Sequence, residues 1–254
     1  MIISIANQKG GVAKSTTAIN LAAGLSLEGY KVLLIDNDPQ GNTTQVFMPP
    51  QIELTEDQTL YAALVNFAPL SPIIQKTRFN NLHLVPSHIR LSGIDIELAN
   101  AFDDRSARLK QSLSKIQETY DFIVIDNPPS LGLVTINAFV ASHTLIIPVS
   151  TAYFALTGLV QLQETIAMVK QRRMNENLQM LGVLCTFTDQ TIVSGDVENQ
   201  LRQHFGKLVF ETTIPKNVRL EEAHSNQTHV FDHAPQSTGA QTYKALVKEV
   251  LSRQ

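Results

Sequence analysis

Cysteine is nearly absent: Cys185 is the single one among 254 residues. That excludes a disulfide framework, and it excludes a cysteine pair within the chain for zinc or an iron–sulfur cluster. Inside the apolar run 181–187, Cys185 is expected to fill core space. No apolar run is long enough to cross a bilayer, and the first one begins at Ile2, which leaves no room for a secretory leader. The expected compartment is the cytosol. A basic surplus is missing as well, since the formal net charge is −3. Residues 1–160 carry ten Lys and Arg against thirteen Asp and Glu, and residues 161–254 carry ten against ten. Any nucleic-acid contact must therefore come from a local patch or from one assembled by dimerisation. Repeats, low-complexity tracts and linkers are also lacking, so a single domain over residues 1–254 is expected.

What is present alternates between two patterns. Apolar, β-branched runs recur at Ile2–Ala6, Val32–Ile35, Leu82–Val85, Phe122–Ile125, Leu145–Val149, Leu181–Phe187 and Leu208–Ile214. Most are continuous rather than alternating, as in parallel strands covered on both faces. Between them lie helical patterns at Thr17–Leu27, Leu60–Phe67, Ser106–Glu118, Leu133–Val140, Phe154–Val169 and Val193–His204. A last helix, Gly239–Leu251, has an apolar stripe of Tyr243, Leu246, Val247, Val250 and Leu251, expected to pack in the core. The Pro-rich stretch Met48–Asp57 reads as a surface loop. The fold class is α/β, a doubly wound and mostly parallel sheet with helices on both faces.

The first strand runs straight into Lys9-Gly10-Gly11-Val12-Ala13-Lys14-Ser15-Thr16, and a helix follows. Strand, glycine turn and helix start make a phosphate-binding loop. Glycines bring backbone N–H groups up to phosphate oxygens, and the helix N-terminus adds positive potential. Lys14 is placed to reach the terminal phosphates and the Ser15 hydroxyl to bind Mg²⁺. A nucleoside triphosphate is the implied ligand. The common motif has glycine where this chain has Gln8 and Ala13. In exchange the loop carries a second lysine, Lys9, which either faces solvent or serves a phosphate outside its own loop.

Asn7 to Thr17 resembles the deviant Walker A box of the ParA/MinD family of positioning ATPases. Asp36-Asn37-Asp38-Pro39-Gln40-Gly41-Asn42 is similar to that family's switch I, and Asp126 to Gly132 to its Walker B and switch II. Ile214 to Leu220 resembles the segment that closes over the base. The four motifs stand in the family's order across nearly the whole chain.

Asp126 ends a buried strand run beside the loop, where α/β sheets bind ligands, and a carboxylate there suits Mg²⁺. Asp36 and Asp38 straddle another strand end. Two carboxylates near a triphosphate repel it unless a cation or a water intervenes. The resemblance implies that Asp38 positions the attacking water and that Asp36 lies close to the Mg²⁺ shell, with Ser15 and Asp126 completing the metal site. It implies that Lys9 crosses a dimer interface to the ATP of the other subunit, acting with Lys14 and Asp38 in hydrolysis. It places the adenine near Thr186, Pro215 and Asn217. It makes Arg219 the leading DNA contact, with Lys216, Arg202, Lys244 and Lys248 as companions. Two departures touch that face. Related partition ATPases carry an arginine where this chain reads Thr188-Asp189-Gln190, and residues 151–158 lack two acidic residues common in relatives. His229 and His233 have the spacing of a helical metal pair, but with no third ligand nearby they read as ordinary surface histidines.

The implied function is an ATP-sandwiched homodimer that binds nucleoid DNA non-specifically. A ParB-like or other cargo adaptor would trigger hydrolysis, and the cargo is a plasmid, a chromosome or a protein organelle such as a carboxysome. The alternative is a MinD-like membrane-cycling regulator, which requires an amphipathic C-terminal anchor that this sequence does not display. A cluster carrier would need cysteine pairs, and a metabolic ligase would have no use for Lys9.

Overall fold

The computed structural model describes residues 1–49, 51–151 and 157–254. Its strands are β1 (Ile2–Ile5), β2 (Val32–Asp36), β3 (Gln75–Lys76), β4 (Leu82–Val85), β5 (Phe122–Asp126), β6 (Thr144–Ser150), β7 (Gln179–Thr188) and β8 (Ile214–Pro215). They form one sheet in the order β3-β4-β2-β5-β1-β6-β7-β8. Every pairing is parallel except β3 with β4. From β1 the chain crosses past β5 to reach β2, and from β5 it crosses past β1 to reach β6. Loops thus leave the C-terminal ends of the central strands in opposite directions, which opens a crevice there.

The helices are α1 (Lys14–Leu27), α2 (Asn42–Phe47), α3 (Leu60–Val65), α4 (Ile94–Glu97), α5 (Arg108–Leu113), α6 (Leu133–Ala141), α7 (Thr157–Gln171), α8 (Ile192–Phe205), α9 (Val218–Ser225), α10 (Val230–His233) and α11 (Thr238–Ser252). Side chains alternate faces along a strand, so the continuous apolar runs divide between two layers. Ile3, Ile5, Leu34 and Val124 pack on one face with Ile19, Leu21 and Leu25 of α1 and Tyr243, Leu246 and Val250 of α11. Leu33, Ile35, Ile123 and Ile125 pack on the other with α3, α5 and α6. A third cluster joins β6 and β7 to α7 and α8 and contains Cys185, whose thiol burial pushes up to about 12. The apolar stripe of α11 is core packing, as expected. A Cβ on Gly24 of α1 would stand 2.5 Å from Val247 Cγ2, so this glycine is what lets α11 lie so close to α1.

Three expectations need correction. The run Leu208–Ile214 is not a continuous strand. Residues 206–208 form a tight helical turn, Val209 makes an isolated bridge to Val183, and ladder pairing returns only at β8. The cause lies in α11, whose Glu249 carboxylate accepts the N–H groups of Glu211 (2.8 Å) and Thr212 (2.9 Å). Arg253 donates to the carbonyls of Leu208 (3.2 Å) and Val209 (2.9 Å). Side chains here do what a strand ladder would otherwise do. The helix expected over Ser106–Glu118 stops at Leu113, where Ser114 Oγ turns back to the Gln111 carbonyl (2.7 Å). His229 is buried rather than on the surface: it caps α10, accepting from Asp232 N at 3.2 Å, and lies 4.2 Å from the Phe79 ring. The start of the expected helix Phe154–Val169, and most of the acid-poor stretch 151–158, fall outside the described residues.

Candidate functional site

The loop after β1 is held from several sides. Asn7 Nδ2 donates to the Pro148 carbonyl at 2.7 Å while its Oδ1 accepts from Lys9 N at 3.0 Å, tying the loop's entry to β6. Thr186 Oγ1 donates to the Val12 carbonyl at 3.2 Å and ties the loop's far side to β7. Gly11 and Ala13 both have left-handed backbone, with φ of 67° and 64°. The second value explains the glycine of the common motif. This position demands positive φ, and alanine meets the demand at a cost of about 1–2 kcal/mol. Lys14 is buried and its Nζ donates to the Lys9 carbonyl at 2.8 Å, curling over the loop. Burial lowers its pKa, and the Asp126 and Asp38 carboxylates oppose that shift. Ser15 and Thr16 open α1 and are half-buried. Lys9 differs from Lys14, being exposed, with an ammonium that has no partner among the described residues.

The carboxylates come together through strand register. Asp36 and Asp126 are register partners on the parallel strands β2 and β5, so their side chains emerge side by side. Both are fully buried, and both are held above the ordinary carboxylate range. For Asp36 burial is the largest cause and the Asp126 charge the next. For Asp126 burial dominates, opposed by the hydroxyls of Ser15 and Thr43. Asp126 Oδ2 accepts from Thr43 Oγ1 at 2.8 Å, whereas Oδ1 is buried with no hydrogen-bond partner among the described residues. Among the described residues no three His, Cys, Asp or Glu side chains cluster as a metal site by themselves. An orphaned carboxylate oxygen next to Ser15, beside a second buried carboxylate, nevertheless fits a hard divalent cation whose other ligands are phosphate oxygens and water. Asp38 is buried beyond the end of β2, its Oδ1 accepting from Gln40 N at 3.0 Å.

The structure adds residues that the sequence did not single out. Thr43 and Thr44, on the short helix α2, hold Asp126 and Asp36 respectively. Thr44 N and Oγ1 both donate to Asp36 Oδ2 at 2.7 Å. Asn37 Nδ2 donates to Asn127 Oδ1 (2.8 Å) and to the Val134 carbonyl (3.0 Å), locking the ends of β2 and β5 to α6. Ser87, beyond β4, donates to the Asp38 carbonyl at 2.5 Å. A threonine pair directly after Asn42 was the available signal, but α2 has only six residues and shows no useful periodicity.

On the base side, Pro215 pairs with Thr188 across β7 and β8, and Asn217 caps α9 by accepting from Arg219 N at 2.9 Å. Of the cations of the expected DNA face, Arg219, Lys216 and Arg202 are engaged by carboxylates. Arg219 is exposed and pairs with Glu222 at 2.6 Å, while Lys216 lies 3.9 Å from Asp189. Arg202 is bound inward to Glu198 (2.9 Å) and the Phe210 carbonyl (3.2 Å), so it is the least available of the three. Lys244 and Lys248 stand exposed on α11.

A family profile described as an AAA domain matches residues 1–180. The sporulation initiation inhibitor protein Soj of Bacillus subtilis is 44% identical over 250 residues, which cover 98% of this chain and 97% of Soj. A crystal structure named cobyrinic acid a,c-diamide synthase from Mycobacterium smegmatis, with a bound ATP analogue and magnesium, superposes with a TM-score of 0.85. It is 31% identical over 98% of this chain and 93% of that one. A plasmid partition protein from Borrelia burgdorferi bound to AMPPNP gives a TM-score of 0.85 and 27% identity over 100% and 99% of the two chains. With the loop, the paired strand-end carboxylates and these likenesses in place, the chain belongs to the Soj/ParA family of chromosome-partitioning ATPases.

Proposed function

We propose that this protein hydrolyses ATP to ADP and phosphate as a Mg²⁺-dependent, ATP-sandwiched homodimer that binds DNA without sequence preference. In this reading a cargo-bound adaptor of the ParB kind stimulates hydrolysis, the dimer parts, and the cycle partitions or positions a plasmid, a chromosome or a protein organelle on the nucleoid. The observation that carries it is the contrast between the two loop lysines. Lys14 is curled over its own loop, where it would serve phosphates held there, whereas Lys9 is exposed and its ammonium has no partner among the described residues. A cation placed that way suits a phosphate carried by a second copy.

The backbone N–H groups of Gly10 to Thr16 would cradle the phosphates. Thr186, Pro215 and Asn217 would line the base. Ser15, with Asp126 and Asp36 behind it, would hold Mg²⁺, which when bound neutralises phosphate charge. Asp38 would fix the attacking water in line, since placement and electrostatics supply most of the catalysis in phosphoryl transfer. Arg219 and Lys216 would exchange their carboxylate partners for DNA phosphates.

The decisive experiment is binding to random-sequence duplex DNA at fixed low salt with ATP, with ADP and without nucleotide. Binding only with ATP supports the proposal, and ATP-bound dimers that ignore DNA would refute its DNA half. A second reading, an ATP-dependent synthase, draws on the name of the mycobacterial neighbour. It predicts an ATP-bound monomer, which light scattering distinguishes from the sandwich. A membrane-cycling role is not favoured, because the apolar side chains of α11 pack in the core.

A further inference from the structure

Four residues close a ring of hydrogen bonds at the end of β2. Asp36 Oδ2 accepts from Thr44 Oγ1 at 2.7 Å, and Thr44 Oγ1 in turn accepts from Ser87 N at 2.9 Å. Ser87 Oγ donates to the Asp38 carbonyl at 2.5 Å, and Asp38 N donates back to Asp36 Oδ1 at 3.2 Å. Asp38 is therefore held through both of its own peptide groups, with the carbonyl taking a second bond from Gly41 N at 2.9 Å. All members but the half-buried Thr44 are buried. Hydrogen bonds in such a setting are strengthened by the low local dielectric and act together. Ser87 is the one member outside the β2–α2 segment. It comes from the turn after β4, and no nucleotide-binding motif in the chain contains it.

We infer that Ser87 is a positioning residue for hydrolysis, fixing the main chain of Asp38 so that the Asp38 carboxylate is aimed at the attacking water. The inference rests on the reading of Asp38 given above. Ser87 needs no contact with ATP for this role. Its hydroxyl sets where the Asp38 peptide lies, and misplacement by a fraction of an ångström is felt in the rate rather than in nucleotide affinity. A merely structural serine would instead affect folding, or affect binding and turnover alike.

The test compares Ser87→Ala, Ser87→Thr, Asp38→Ala and the Asp38→Ala/Ser87→Ala double variant in the full chain. Melting temperature, the Kd for a fluorescent ATP analogue and the single-turnover hydrolysis rate at saturating Mg²⁺ and ATP are measured for each. We expect Ser87→Ala to slow hydrolysis by about tenfold while the Kd moves by less than about twofold, with Ser87→Thr restoring most of the rate. The double variant should be no slower than Asp38→Ala alone, because residues that act as a unit are not additive. Parental turnover in Ser87→Ala beside an inactive Asp38→Ala overturns the role of Ser87 and leaves that of Asp38 standing. Near-parental turnover in Asp38→Ala removes both. A further slowing by Ser87→Ala on the Asp38→Ala background shows that Ser87 works by another route, and likewise overturns the inference.

Discussion

The ends of β1, β2 and β5 and the outer face around α9 both gather charged residues, but they hold them in opposite ways. At the strand ends Lys14, Asp36, Asp38 and Asp126 are buried, and each is held by at least one named hydrogen-bond partner. Around α9, Arg219 and Lys216 are exposed and meet one carboxylate each. Burial makes an unpartnered charge costly, so the chain supplies hydrogen-bond partners that hold these groups in place. Exposure makes an ion pair worth little, in the range of about 0–1 kcal/mol, so the pair can be exchanged for another anion. The first arrangement suits chemistry that depends on position, and the second suits a ligand recognised by charge alone.

The sharpest attempt to break this contrast is Asp38→Ala. It should keep ATP binding and lower hydrolysis by about a hundredfold or more; a rate near the parent's, in a phosphate-release assay, would remove Asp38 from the chemistry. Next comes Thr43→Val, which deletes the donor to Asp126 Oδ2. Leaving that buried carboxylate short of a partner should cost about 1–3 kcal/mol in urea unfolding, and an unchanged midpoint would mean that the strand-end network is less tightly determined than its geometry implies.

A third test carries the buried side of the comparison to His229. Burial depresses its pKa from the ordinary histidine value to about 4. The unfolded chain therefore takes up a proton first as pH falls. The stability from the neutral ring is complete above about pH 6.5 and is lost as pH drops through about 4, a change of roughly 1–3 kcal/mol. His229→Asn keeps an acceptor at the start of α10 but cannot titrate. Melting curves at pH 7 and pH 5 should converge for that variant, and an equal pH slope in both proteins would place the titration elsewhere. The smallest effects belong to the outer face. Arg219→Ala should weaken ATP-dependent DNA binding a few-fold and reduce the salt slope by about one. Asp189→Asn, by freeing Lys216, should tighten DNA binding by roughly twofold. If neither change moves DNA affinity, DNA does not bind at this face.

Strand and motif positions were legible because they obey local rules. Buried parallel strands write continuous β-branched runs, and the loop writes glycines beside a lysine. The Leu208–Ile214 run misled because its backbone bonds go to Glu249 and Arg253, some forty residues along the chain. His229 misled because the groups that bury it lie on distant segments, with Phe79 foremost. In the site, Lys14, Ser15, Asp36, Asp38 and Asp126 were each visible as residues at strand or helix ends. Thr43, Thr44 and Ser87 were not, since a hydroxyl in a turn has no periodicity to betray it.

The sequence by itself determined an α/β sheet and a phosphate loop with a second lysine, through spacing and residue type over a few neighbouring positions. Only the tertiary structure decided that Asp36 and Asp126 stand as register partners, that Ser87 closes a ring around Asp38, and that Lys216 and Arg219 already pair with carboxylates. The reason is physical: register and hydrogen-bond partnership join residues that are far apart in the chain, and they are set by the packing of whole strands and helices rather than by local preference.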